Sequence, residues 1–281
     1  MRKTRKDQYA RKDFTEADLP GNRKEVFVSC YHDHFFVILR LGLYCLLFLI
    51  PMLMVQIMKD GYVLGVYRSL ENPSPEDIAA IYAVSNVLFG MFEAAAMAVF
   101  FFLFSGLVQI VRQLLWRGPI FLNDTFKKGM KQNYGRFLQV ILLIVLPEAL
   151  LKCLTPSVAV DFLQGFWAVI LVPIGVWVLL QTVYYQLGFG ASVRNAMAYY
   201  IKTFLITLVL LLVTALPFYL MIHFAGLALV KYFGLIVLAI FYIVPVTMLW
   251  LLYASHIFDR HINQEHYPSL YRKGMRSESG E

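Results

Sequence analysis

Between positions 78 and 111 a single charge, Glu93, interrupts an otherwise apolar run. A helix needs only about 20 such residues to cross hydrocarbon about 30 Å thick. Five more runs of this kind lie at 35–58, 134–154, 162–185, 203–223 and 232–255. A water-soluble domain has no place for six of them. Its usual make-up is about 45–50% apolar and about 25% charged, against 59% and 15% over these 281 residues. Lipid gives backbone amides no water to bond with, so each run has to be helical. The expected fold is all-α, an integral membrane six-helix bundle. It divides into a cytoplasmic N-terminal segment (1–34), a six-span domain (35–255) and a cytoplasmic tail (256–281).

The connections are less uniform. Positions 59–77 are polar and carry Asn72, Pro73, Ser74 and Pro75, which reads as a loop. The run 78–111 exceeds what a bilayer needs and has to tilt or project. In the third span the uncharged part stops at Pro147, with Glu148 and Lys152 following in favourable i,i+4 order; a re-entrant segment is the alternative to a full crossing there. Pro51, Pro147, Pro173, Pro217 and Pro245 each remove a backbone hydrogen bond. Kinks are their structural reading and hinges their functional one. Cys30, Cys45 and Cys153 share no metal or redox spacing and read as small apolar fillers. The polar start of the chain does not fit a cleaved signal peptide.

Lysine and arginine orient the spans, because cytoplasmic connections carry their excess. Six crossings put both termini on one side. That side then holds all 25 cationic side chains except Lys59, Arg68, Lys152 and Lys231. The expectation is a multi-pass protein of the bacterial cell membrane with cytoplasmic N- and C-termini. The net charge of +7 follows from this orientation. It suits anionic lipid headgroups and gives no reason to invoke nucleic acid.

The longest basic connection, QIVRQLLWRGPIFLNDTFKKGMKQNYGRF (109–137), has a pattern of its own. Phe126, Met130, Tyr134 and Phe137 recur at helical spacing on one face, and Lys127, Lys128, Lys131 and Gln132 turn away from it. Asn123 or Asp124 can cap its start. This predicts a cytoplasmic interfacial amphipathic helix over 123–136, feeding the third span. Its sequence FKKGMKQNYGRFL (126–138) echoes VRNAMAYYIKTFL (193–205). The echo suggests a parallel internal repeat of span, interfacial helix and span, a device common in transporters. The alternative is that any two cytoplasmic linkers entering a helix share cations, small residues and aromatics.

Glu93 is the candidate ionisable residue within the membrane. It can be a proton or cation site facing the bundle interior, a carboxyl kept neutral by burial and bonded to Gln181 or another helix, or an interfacial residue near the outer boundary. Gly90, Ala94, Ala95, Ala96 and Ala98 around it permit close helix approach. His32, His34, His256, His261 and His266 gather at cytoplasmic edges, and with Asp259 they can in principle meet. No zinc spacing is present, however. They read as interfacial polar residues, with His223 at an outer helix end. No nucleotide loop, zinc-protease helix or nucleophile elbow occurs, so no catalytic set, metal or cofactor is expected. The candidates for docking or lipid contact on the cytoplasmic side are Lys127, Lys128, Lys131, Arg136, Arg194, Asp259 and Asn263.

Three stretches carry a family likeness: FSGLVQIVRQLLWRG leading to DTFKKGMKQNYGRF, GFGASVRNAMAYYIKTF after the fourth span, and the tail FDRHINQEHYPSLYRKGM, with FTEADLP near the start. Together they resemble the YesL-like family of bacterial six-span membrane proteins (domain of unknown function 624), over about 14–275. The resemblance brings no catalytic residues with it. It implies a companion of carbohydrate-uptake or polysaccharide-utilisation systems. The expected function is a non-enzymatic accessory or regulatory membrane protein whose partner is another membrane protein such as a sugar importer. Segments 123–136 and 259–275 would be its docking surface. The alternative is a small secondary transporter or channel-like protein working through Glu93.

Overall fold

The computed structural model describes residues 19–154, 157–224 and 227–276. Positions 1–18 and 277–281 of the terminal segments, and the side chain of His223, lie outside the described residues. Those described form helices and connections, with no strand. In chain order the helices are α1 (Arg23–Asp33), α2 (Phe35–Ser69), α3 (Pro75–Leu115), α4 (Leu122–Lys152), α5 (Val158–Phe166), α6 (Val172–Tyr184), α7 (Phe189–Lys202), α8 (Phe204–Phe224), α9 (Ala228–Phe241) and α10 (Ile243–Phe258), which a π-helical turn, Asp259–Asn263, carries on into the short α11 (Gln264–His266). A π-helical turn, Trp167–Leu171, joins α5 to α6.

Five helices are long and apolar enough to cross a membrane: α2, α3, α4, the run Val158–Tyr184, and α8. The pair that starts with α9 and continues from Ile243 passes the same test only together, across a 47° bend. The surface agrees with the lengths. On α8, Leu205, Ile206, Val209, Leu212 and Val213 are all more than half exposed. Soluble proteins rarely show contiguous apolar patches larger than a few hundred Å². A multi-pass membrane protein shows them to acyl chains.

α2 does not stop where its apolar run stops. The polar connection that the sequence predicts over 59–77 is helical as far as Ser69, and α3 starts at Pro75. Polarity marks where a side chain is solvated, and it leaves the backbone free to stay helical. Gln56 Nε2 donates to Asp60 Oδ1 one turn on, at 3.2 Å. Ser74 and Asp77 then form a reciprocal capping box with Pro75 in the first turn, a strong start signal. The 41 residues of α3 span about 61 Å at 1.5 Å each, so the α2–α3 hairpin projects well beyond a bilayer core.

α4 corrects a second expectation. The segment 123–136 is not a separate helix lying along the interface, because α4 is continuous from Leu122 to Lys152 and runs antiparallel to α3. Two glycines decide this. A Cβ on Gly129 would fall 2.5 Å from Gln109 Cβ and 3.0 Å from Gly106 Cα; one on Gly106 would fall 2.8 Å from Phe126. The two backbones touch there, and the face of Phe126, Met130 and Phe137 packs on α3 instead of dipping into lipid. At 31 residues, α4 has the full length of a crossing, so no re-entrant segment is needed. The two echoing segments also diverge. Phe137 inside α4 is 1% exposed, whereas its counterpart Phe204 follows a break at Thr203 and is 44% exposed.

Aromatic donors close the proline kinks. Pro173 leaves the Val169 carbonyl without its helical donor, and the Tyr200 hydroxyl of α7 donates to it. Pro217 does the same to Val213, which accepts from the Tyr242 hydroxyl at 3.2 Å. Trp167 Nε1 donates to Ile144 O of α4 at 2.8 Å, one residue after the Leu143 carbonyl that Pro147 leaves free, so it braces that turn without filling the gap. An unmet carbonyl is costly in hydrocarbon, so these contacts favour kinks that are held over hinges that move.

The bent pair runs the length of α2. Lys231 near its start pairs with Asp60 of α2, and Asp259 beyond its end pairs with Arg23, which precedes α2. Its approach depends on Gly42, where a Cβ would lie 1.9 Å from Ile240 O. The break at Tyr242 follows at once, because Pro245 withholds the amide that Phe241 O would accept.

Candidate functional site

The ends of α1, α3, α6 and α10 and the starts of α4 and α7 gather at one end of the bundle, here the terminal face. Asp259 is its centre. This residue is 6% exposed. Its carboxylate accepts from Arg23 Nη2, from Asn263 Nδ2 at 2.5 Å and from the Arg272 backbone N–H at 3.0 Å. Asn263, 1% exposed, accepts from the Tyr185 hydroxyl at 2.6 Å. The tail then folds back under α3. Gly274, at φ +84°, lies against Leu115 O and Trp116, and Lys273 Nζ sits 4.4 Å from the Trp116 ring centre. The Arg276 N–H reaches Pro20 O at 2.9 Å. Cys30 of α1 is sealed beneath, where burial pushes its thiol up to about 11.

This corrects the reading of Asp259 and Asn263 as docking residues. Both are interior, and the tail is a strap that closes the face. Their polarity past the last apolar run reads as solvation. Their burial depends on Arg23, more than two hundred positions away in sequence.

A cavity of about 440 Å³ opens beside this knot, between α3, α4 and the end of α6. Arg112, Lys128 and Arg136 bring three cations to its wall, Gln109, Gln132 and Asn133 bring amides, and no carboxylate lines it. Lys128, Gln132 and Arg136 succeed one another at i,i+4 and so share a face of α4. Arg112 stacks on the Trp116 ring at 4.4 Å and donates through Nη1 to the Val183 carbonyl, a C-terminal carbonyl of α6 that favours a cation. Its Nε is buried without an acceptor. Arg136 Nη1 donates to Ser192 Oγ of α7 at 3.3 Å, and Asn133 Nδ2 to Ser105 O at 3.3 Å. Three cations with no carboxylate in the lining give the cleft a positive wall, the charge an anion would seek.

Of the residues the sequence singles out, Lys128 and Arg136 meet in this cleft, while Lys127, Lys131 and Arg194 are exposed outside it. Sequence reasoning does not find Arg112. An arginine one turn before Trp116 at the end of an apolar run looks like a snorkelling side chain, and only α6 shows what it binds.

Glu93 lies at the opposite end of the bundle. Its carboxylate is 2.7 Å from Lys59 Nζ and 3.9 Å from Lys152 Nζ, and Lys152 is 2.7 Å from Glu148. Nearby, Asp60 accepts from Lys231 at 2.5 Å and from the Tyr232 hydroxyl at 2.7 Å. Glu93 precedes Gln109 by about 24 Å of helix, which fits the interfacial reading, and it ties α2, α3 and α4 together. Gln181 is not its partner; Gln181 Nε2 donates to the Trp177 and Ser192 carbonyls at 3.2 and 3.1 Å. Each of the three lysines at this end meets a carboxylate. A paired lysine near hydrocarbon avoids most of the penalty of a bare charge.

Between the two ends, a cavity of about 460 Å³ is lined by Phe100, Phe104, Leu180 and Leu251 among others, and Glu93 is not in its lining. Among the described residues no three of His, Cys, Asp or Glu are placed to hold a metal ion. Comparison with protein-family models, curated proteins and solved structures found no match.

Proposed function

We propose that this chain is a non-enzymatic accessory protein of a bacterial cell membrane, crossing it six times with both termini in the cytoplasm. The bent pair counts as the sixth crossing. The terminal face is the cytoplasmic one, because the connections at that end carry most of the lysines and arginines and the other end carries only Lys59, Arg68, Lys152 and Lys231. One observation carries the docking role. Asp259 locks α1, α10 and the tail into a single platform, and Lys127, Lys131 and Arg194 stand exposed on the same face. That surface suits anionic headgroups and an acidic patch on a partner membrane protein. The likeness of the quoted stretches to the YesL-like family makes a sugar importer the first partner to test. Transport through Glu93 has less support, since its carboxylate is held by Lys59 and the central cavity is apolar.

The test is crosslinking and recovery from native membranes. Deleting 259–275 is unsuitable because it removes Asp259 itself. A charge-reversed variant, Lys127→Glu with Lys131→Glu and Arg194→Glu, alters exposed side chains alone. Partner recovery is expected to fall at least about tenfold, the effect of like charges facing one another across an interface. Recovery equal to wild type would remove this face from docking.

A further inference from the structure

The basic cleft and the central apolar cavity adjoin. Val183 lines both, and the two linings are consecutive on their helices: Val108 lines the cavity and Gln109 the cleft, Phe137 the cavity and Arg136 the cleft. The cavity follows α3 from Met97 to Val108, about 16 Å at 1.5 Å per residue. Apart from Thr247, the Tyr242 hydroxyl and the Trp250 indole N–H, its wall is apolar, and all three are engaged within the protein, by Ile243 O, Val213 O and Thr214 Oγ1.

We propose that cleft and cavity are one binding site for an anionic amphiphile, with a phosphate group among Arg112, Lys128 and Arg136 and one hydrocarbon chain in the cavity. Each half explains a feature that is otherwise costly. The cleft concentrates three cations with no carboxylate, and the buried Arg112 Nε has no acceptor. A phosphate supplies several charge-assisted acceptors at once. The few polar groups in the cavity wall are already bonded within the protein, too little to hold water, so it is dry or filled by something apolar. At about 460 Å³ it lies within the usual size of ligand pockets, about 300–1,000 Å³. The cleft is where such a molecule's charge leaves hydrocarbon. This site goes beyond the docking role and does not depend on it, because its cations are Arg112, Lys128 and Arg136 and not the docking cations Lys127, Lys131 and Arg194.

The experiment uses the full chain in detergent-free peptidiscs and titrates dodecyl phosphate by calorimetry, with inorganic phosphate and dodecanol as the two halves of the probe. Dodecyl phosphate is expected to bind saturably, and each half at least about tenfold more weakly. Lys128→Gln, at an exposed position, is expected to weaken binding about tenfold. Val176→Phe, which narrows the cavity, should do the same. A wild-type thermal midpoint in Lys128→Gln keeps the test valid if Val176→Phe misfolds. Equal binding of either half, no binding of dodecyl phosphate, or affinity indifferent to Lys128→Gln would overturn the proposal. Native mass spectrometry of protein taken from its own membranes then distinguishes the source. A retained glycerophospholipid or isoprenoid phosphate supports the site, and neutral lipid alone or an empty protein contradicts it.

Discussion

Asp259→Ala is expected to release the terminal face. The substitution removes the acceptor of three donors and leaves the Arg23 guanidinium, 19% exposed, without its counter-charge. Removing one member of a buried pair costs about 3–5 kcal/mol, mostly through the charge left behind. For a chain of this size that lowers the thermal midpoint by on the order of 10 °C. The tail should also open. Trypsin sites at Arg272 and Lys273, now held against α3 and Gly21, become cleavable in the folded protein. Asp259→Asn keeps one acceptor oxygen and should lose less. Thermal unfolding read together with limited proteolysis checks both points. An unchanged midpoint with a protected tail would show that the strap is held by something other than this carboxylate.

Gly42→Ala should be as damaging for a different reason. The added methyl would sit 1.9 Å from Ile240 O and 2.7 Å from the carbonyl carbon. A side chain can swing away from such a contact, but a helix backbone cannot. Overpacking costs about 1–3 kcal/mol where neighbours can yield, and here the neighbour is the point where α9 meets the break. The bent pair has to move off α2, and the Lys231–Asp60 contact is strained with it. Gly61 and Gly65 provide the control on the same helix, because a Cβ at either meets nothing within 4 Å. Gly61→Ala and Gly65→Ala should be neutral or slightly stabilising, since alanine is the better helix former by about 0.8–1.0 kcal/mol. If all three variants unfold at the same temperature, the close approach at Gly42 is not what seats α9 and α10.

The apolar runs alone make the helices legible, since hydrocarbon allows no other local solution for backbone amides. The positions of their ends and the way they lie are less so. Lys59 to Ser69 stays helical because polar side chains on a projecting helix are simply solvated. α4 stands upright because Gly106 meets Gly129, a contact between two positions that nothing in either local sequence announces. Glu93 stands out in sequence as the one charge in its run, but its role depends on Lys59 of another helix. The cleft is half legible. Lys128, Gln132 and Arg136 share a face by spacing, but their convergence on Arg112 and the end of α6 is tertiary. Asp259 and Asn263 read as surface residues until Arg23, Tyr185 and the tail cover them.

Cysteine accessibility tests most directly the claim that the terminal face is inside and the Lys59–Glu93 end outside. Cys153 caps α4 at the latter end and is exposed, while Cys30 and Cys45 are buried. A membrane-impermeant maleimide applied to intact cells or spheroplasts at neutral pH should label the protein once, at Cys153. Cys30 should stay unmodified even after permeabilisation, since its thiol is shielded and protonated far above neutral pH. Labelling of Cys153 only after the membrane is breached would invert the topology and contradict the account.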